Sequence, residues 1–218
     1  MEINLMSRYP KTNRDNFIKR SLNKNNEEIN IAKKFDKEYF DGDREFGLGG
    51  YYYDPKYFTN VVKDFIKWYQ INDEDSILDV GCGKGFMLHD FLMAKPNLKI
   101  AGLDISNYCY DKCMSTIKPF YTLGSCDSLP YADKSFDYVF SIATIHNLDL
   151  EGVKKSLKEI VRVTRKNAFI KVNGYRNDQE RKKLQGWNLV ANTILHADEW
   201  IKLFKETGYI YDYEFFST

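Results

Sequence analysis

The feature that most narrows what this chain can fold into is an apolar run that ends in a cluster of glycines. Ser76-Ile-Leu-Asp-Val80 has the length and composition of a buried strand and leads directly into Gly81-Cys-Gly-Lys-Gly85. An amphipathic helical pattern follows to about residue 94, where Pro96 ends it. Strand, sharp turn and helix therefore succeed one another without a linker. The same rhythm recurs downstream. Strands are expected at 98–103, 120–123, 136–142, 168–172 and 209–216, and helices at 106–117, 150–165 and 198–207, the last stopped by Gly208. Strands alternating with helices imply right-handed crossovers, hence an α/β fold with a doubly wound, mostly parallel sheet and helices on both faces.

The 218 residues suffice for one domain with a cap, and the sequence divides into 1–70, a helical arm with an aromatic lid, and 71–218, the sheet domain. In the lid, residues 39–58 pack eight aromatics around Gly42, Gly47, Gly49 and Gly50, which predicts an irregular loop; the spacing from Pro55 to Tyr69 predicts a helix. Hydrophobic residues at 43% and charged residues at 29% exclude a disordered chain, and no apolar run approaches the roughly 18 residues of a membrane span. A net charge of +1 provides no overall field for a polyanion, so a nucleic-acid partner is disfavoured and would need a local patch. Positions 1–34 hold eight Lys or Arg against four acids, which reads as a solvated helix face or as a substrate-facing patch. The opening Met-Glu-Ile-Asn-Leu-Met lacks the charged and apolar regions of a secretory signal, and a cytoplasmic location is expected. Four cysteines and three histidines without metal-ligand spacing predict neither a disulfide framework nor a metal site.

In a doubly wound sheet the ligand sits beyond the carboxyl ends of the strands. The glycines after the first strand allow a sharp turn and close approach of a ligand to backbone N–H groups. Asp104, 25 residues beyond Asp79, closes the second strand where a carboxylate accepts from ribose hydroxyls. A dinucleotide fingerprint would need glycine at the position of Phe86, and no phosphate-binding P-loop occurs. What remains is a nucleoside turn with a ribose acid. The alternatives are a glycine turn that only packs helix on strand, and Asp104 as a helix cap.

These segments together resemble the class I S-adenosylmethionine-dependent methyltransferases of the small-molecule, type 11-like group, whose fold is Rossmann-like. Ile77-Leu-Asp-Val-Gly-Cys-Gly-Lys-Gly85 is similar to their first motif, Gly102-Leu-Asp-Ile105 to their second, and Leu129-Pro-Tyr-Ala-Asp-Lys-Ser-Phe-Asp137 to the approach to their fourth strand. The resemblance implies that Gly81 and Gly83 meet the methionine part of the donor, Asp79 its ammonium, Asp104 the ribose and Ile105 the adenine face. Cys82, Ser141 and Tyr53 complete the implied donor set. Adenine is read by Ser125, the Cys126 backbone or Asp127, which stay open. The product would be S-adenosylhomocysteine, and no metal is implied.

Methyl transfer from a sulfonium relies mainly on positioning, with a base added only where the acceptor must lose a proton. His146, just past the fourth strand, is the candidate base, its alternative being a packing histidine. Ser141-Ile-Ala-Thr144 stands where amino-methylases of bases carry Asn-Pro-Pro-Tyr, which disfavours that chemistry. The aromatic lid contributes Tyr51 and Arg44, and Tyr175, Arg176 and His196 are expected at the acceptor side of the cleft. The lid resembles methyltransferases of bacterial capsule and lipopolysaccharide synthesis. O-methylation of a small polar acceptor, a sugar hydroxyl or an anionic phospho-group precursor, is therefore expected from a monomer or homodimer. RNA methylation and non-catalytic donor binding are the other two readings.

Overall fold

The computed structural model describes residues 1–10 and 24–216. Lys11, Arg14, Lys19 and Arg20 of the basic arm lie outside the described residues. Helices α1 (Asn26–Ala32) and α2 (Lys37–Asp41) are short, and α3 (Pro55–Tyr69) is the first long element. Then follow β1 (Ser76–Val80), α4 (Phe86–Ala94), β2 (Lys99–Asp104), α5 (Asn107–Lys112), β3 (Tyr121–Leu123) and β4 (Phe136–Ile142). The chain continues through α6 (Leu150–Val163), β5 (Thr164–Tyr175), α7 (Asp178–Trp187), β6 (Leu195–His196), α8 (Ala197–Thr207) and β7 (Asp212–Phe216).

Alternation of side chains along β1 separates two cores. Leu78 and Val80 face Val153, Leu157 and Ile160 of α6 and Trp200 and Phe204 of α8. Ile77 faces Val61, Val62 and Phe65 of α3 and Leu88 and Phe91 of α4. Helices thus cover both faces, as the alternation of elements predicts. The order is β3-β2-β1-β4-β5, with β6 and β7 both paired to β5. Every one of these pairings is parallel, including β5 with β7. Phe65 sits edge-on to Phe140 and Phe169 at 4.8 and 5.1 Å, so α3 shares the core of the sheet with the later strands.

Three local expectations change. The helix expected at 106–117 ends at Lys112, because the Met114 N–H donates to the Lys84 carbonyl at 3.0 Å and Ile117 is drawn over Gly85. Among the described residues of the arm, helix occurs at α1, whereas residues near Glu2 lie parallel to β7, where the Ile3 N–H donates to the Tyr213 carbonyl at 2.9 Å. The fifth strand is longer than 168–172, and α7, a polar helix that buries only Leu184, gave too little apolar periodicity to be foreseen.

Candidate functional site

The carboxyl ends of β1, β2 and β4 open into a cavity of about 710 Å³, within the range of small-molecule sites. Its floor is the glycine turn. Gly81 (φ 85°) and Gly83 (φ 54°) take left-handed backbone, and a Cβ on Gly81 would lie 2.0 Å from Thr144 Oγ1. The Gly81 and Cys82 N–H groups donate to the Leu103 carbonyl, which ties the turn to the end of β2. Asp104 completes the link: its Oδ2 accepts from the Gly83 N–H at 2.8 Å and its Oδ1 from the Ser106 N–H at 2.9 Å. Burial pushes the Asp104 carboxyl up against the pull of these N–H groups.

Of the residues expected to hold the donor, Gly81, Gly83, Asp104, Ile105, Ser125, Cys126 and Tyr53 line this cavity. Ile105 is 59% exposed and lines the cavity with an apolar side chain. Asp79, Cys82, Ser141 and Asp127 are off the wall. Ser141 Oγ donates to the Val80 carbonyl at 3.0 Å, a contact that joins β4 to β1. Asp79 is buried beneath the turn, and burial with the neighbouring Asp104 charge raises it to about 7.

The lid is fastened to the same turn. Lys84 donates from Nζ to Asp41 Oδ2 at 2.5 Å and to the Tyr51 carbonyl at 2.8 Å. Asp41 also accepts from the Tyr51 N–H and the Tyr108 hydroxyl. Burial works against ionisation of Asp41, yet Lys84, Tyr108 and Tyr51 together hold its carboxyl below the usual range. The ammonium also lies 5.3 to 5.8 Å from the ring centres of Tyr51, Tyr52 and Tyr108. Tyr51 in turn rests on Gly83, and the Tyr53 hydroxyl donates to Asp90 Oδ1 at 2.5 Å. Arg44 lines the cavity while its guanidinium donates to the Gly47 and Leu48 carbonyls, so it braces the lid.

His146 does not stand where a base would. Its ring is buried off the cavity wall, and its Nδ1 accepts from the Asn173 N–H at 3.2 Å. Burial lowers its pKa from 6.5 to about 3. The depressed value makes the ring's contribution to stability fully present above pH 6.5, and acid removes it as the unfolded chain takes up a proton that the folded ring excludes. Urea unfolding at a series of pH values should show up to about 1.4 kcal/mol lost per pH unit below 6.5, and His146→Gln should flatten that slope.

Tyr175, Arg176 and His196 also lie away from the cavity. His196 caps α8, accepting from the Asp198 N–H, and its ring meets Tyr175 edge-on at 5.5 Å. Arg176 pairs with Glu2 and stacks over Phe215. The far wall of the cavity is lined instead by Tyr57 and Phe58 of the aromatic segment 39–58, by Trp187 of the late segment where acceptor-wall aromatics are expected, and by Lys171 and Phe216, which the sequence did not single out. Lys171 sits inside a strand and carried no separate signal. Among the described residues, no cluster of potential metal ligands occurs and no helix is long and apolar enough to cross a membrane.

The fold and this cleft define a Rossmann-like architecture with its cavity at the carboxyl ends of the strands. Residues 78–172 match the family described as a methyltransferase domain. The chain is 30% identical over 131 residues to the tRNA (carboxymethyluridine(34)-5-O)-methyltransferase of Arabidopsis thaliana, covering 57% of this chain and 30% of that protein. It is 27% identical over 131 residues to the malonyl-[acyl-carrier protein] O-methyltransferase of Legionella pneumophila, covering 58% and 45%. The chain therefore spans less than half the length of these curated relatives. Among solved structures, the YcgJ protein from Bacillus subtilis superposes with a TM-score of 0.54 at 20% identity, covering 67% of this chain and 66% of that one. The [4+2]-cyclase SpnF superposes with a TM-score of 0.56 at 17% identity, covering 69% and 56%. A cyclase on the same fold means that activity has to be argued from the site.

Proposed function

We propose that this protein is an S-adenosylmethionine-dependent methyltransferase that modifies an oxygen of a small acceptor. The observation that carries the reading is the left-handed glycine turn bound to Asp104 at the floor of a lidded cavity. Residues fit the donor: a Cβ would fill the cradle at Gly81, Asp104 stands at the end of β2 for the ribose, and Ile105 offers an apolar face for adenine. Ser125 and Cys126 are on the wall for the adenine edge, whereas Asp127 is not. Asp79 and Cys82 would act from behind the turn through its backbone, and Ser141 by bracing β4.

When bound, the donor supplies a methyl group on a sulfonium with a neutral leaving group. The chain's own residues supply position and dryness. The lid aromatics Tyr51, Tyr52 and Tyr53 exclude water and offer ring faces to a cation. Calorimetric titration with S-adenosylmethionine and S-adenosylhomocysteine tests the reading, and flat heats with both would overturn it. Transfer of a radiolabelled methyl group to candidate acceptors then tests turnover and separates an enzyme from a protein that only binds the donor.

Oxygen as the acceptor atom is supported by the names of both relatives described above. Neither is named for capsule or lipopolysaccharide synthesis, and a cleft walled by aromatic rings offers few polar partners to a sugar. The four free cysteines fit a reducing compartment such as the cytoplasm. Similarity to a tRNA methyltransferase favours RNA as a second reading. Three of the four described cations of the arm are turned to the protein itself, Arg8 to Asp64, Lys24 to the carbonyls of Gln185 and Asn188, and Lys33 to Asn192, while Lys34 is exposed. A small acceptor predicts shallow salt dependence of binding, and RNA a steep one.

A further inference from the structure

The acceptor side of the cavity joins an apolar wall to a half-buried cation. Tyr57, Phe58, Trp187 and Phe216 form the wall, and Lys171 lines it with a side chain only 15% exposed. The Lys171 ammonium donates to Glu214 Oε1 at 2.5 Å and stands 5.6 Å from the Phe216 ring centre. Glu214 is off the wall, and its other oxygen accepts from the Met6 N–H at 3.1 Å, so the carboxylate anchors the ammonium from behind. An ammonium has three N–H donors. Glu214 takes one of them, and Lys171 is part of the cavity lining.

What faces Lys171 across the chamber is poor in bases. Asp54 and Lys56 pair with each other at 2.6 Å at the exposed rim. Thr144 Oγ1 donates to the Ile142 carbonyl, and the Tyr9 phenol is pushed up to about 12 by burial. His146 is turned away. Among the described residues lining the chamber, the carboxylates are Asp104, which holds the Gly83 and Ser106 N–H groups, and Asp54, which pairs with Lys56, so a hydroxyl or amine acceptor meets no uncommitted carboxylate to take its proton.

We propose that the acceptor is a carboxylate carried on an aromatic or similarly apolar body, and that Lys171 orients it. The inference rests on the methyltransferase reading above. A carboxylate oxygen uses a lone pair to bond the methyl carbon while the carbon–sulfur bond breaks and its electron pair stays on sulfur. Carboxylate and sulfonium become methyl ester and thioether, and no proton is released. Opposite charges cancel as the bond forms, which a dry aromatic cleft favours, since charges in low dielectric are expensive to keep. A phosphate dianion would leave residual charge in the same apolar chamber.

The test uses the full chain, first titrated with S-adenosylhomocysteine; absence of that binding sinks the methyltransferase reading itself. With the product bound, phenylacetate, 3-phenylpropionate and indole-3-acetate are compared with their primary amides by calorimetry. At least one acid is expected to bind about 10- to 100-fold tighter than its amide, the difference a charge-assisted contact makes. Lys171→Met should bring that preference to about twofold or less with S-adenosylhomocysteine affinity retained, and Lys171→Arg should preserve it. Because Lys171→Met leaves Glu214 unpaired, Lys171→Met/Glu214→Gln is the folded control expected to behave alike. Equal binding of acids and amides, no binding of either up to about 10 mM, or a preference that survives loss of the Lys171 charge would each overturn the proposal.

Discussion

Asp104→Ala is expected to weaken binding of S-adenosylhomocysteine by about two orders of magnitude while the sheet stays folded. The carboxylate does two things at once: it presents acceptor oxygens to the cavity and it holds the Gly83 and Ser106 N–H groups. Hydrogen bonds to a charged group are worth about 1.5–3 kcal/mol each, so losing one or two to a bound ribose gives the expected range. Burial already opposes ionisation at this position, so deleting the charge removes a strain as well as a contact, and the melting temperature should fall far less than the affinity. Asp104→Asn, which keeps one acceptor oxygen, should fall between the two. An alanine variant that binds as tightly as the parent would show that Asp104 merely shapes the turn.

Breaking the buried pair under the lid should produce the largest loss of stability. Lys84 and Asp41 have side chains only 5% and 9% exposed. Asp41→Ala strands an ammonium in that setting, a change that costs about 3–5 kcal/mol. The chain can avoid part of that cost by swinging residues 39–54 away from the turn, so urea unfolding and proteolysis within the lid are read together. Lys84→Met/Asp41→Leu should recover much of the stability, because an apolar pair of similar volume often replaces a buried ion pair without loss. A single variant that loses less than about 1 kcal/mol and keeps its lid protected would mean that the aromatic contacts alone fasten it.

Much of the fold was legible because its signals are local. The glycine turn, Asp104 and the strands that flank them announce themselves within a few residues, and they stand together as expected at the strand ends. The far wall of the cavity was harder to read for reasons that are geometric. Ala143 leaves β4 with φ at 56°, a left-handed conformation unusual for a residue with a Cβ. That twist sends Thr144, Asn147 and Leu148 to the cavity and His146 into the core. No property of the sequence near His146 reports the twist. Arg176 was drawn away by Glu2, a partner 174 positions distant, and Lys171 looked like one more member of a strand until the cavity gave it a face.

The seat of Thr144 on Gly81 bears on any attempt to broaden what such an enzyme accepts. Enlarging the chamber at Thr144 would release the turn below, so a gain in substrate range there would be bought with donor affinity. Trp187 and Phe216, which pack on each other at 5.5 Å, are the better positions for redesign, since they shape the far wall without touching the nucleoside cradle.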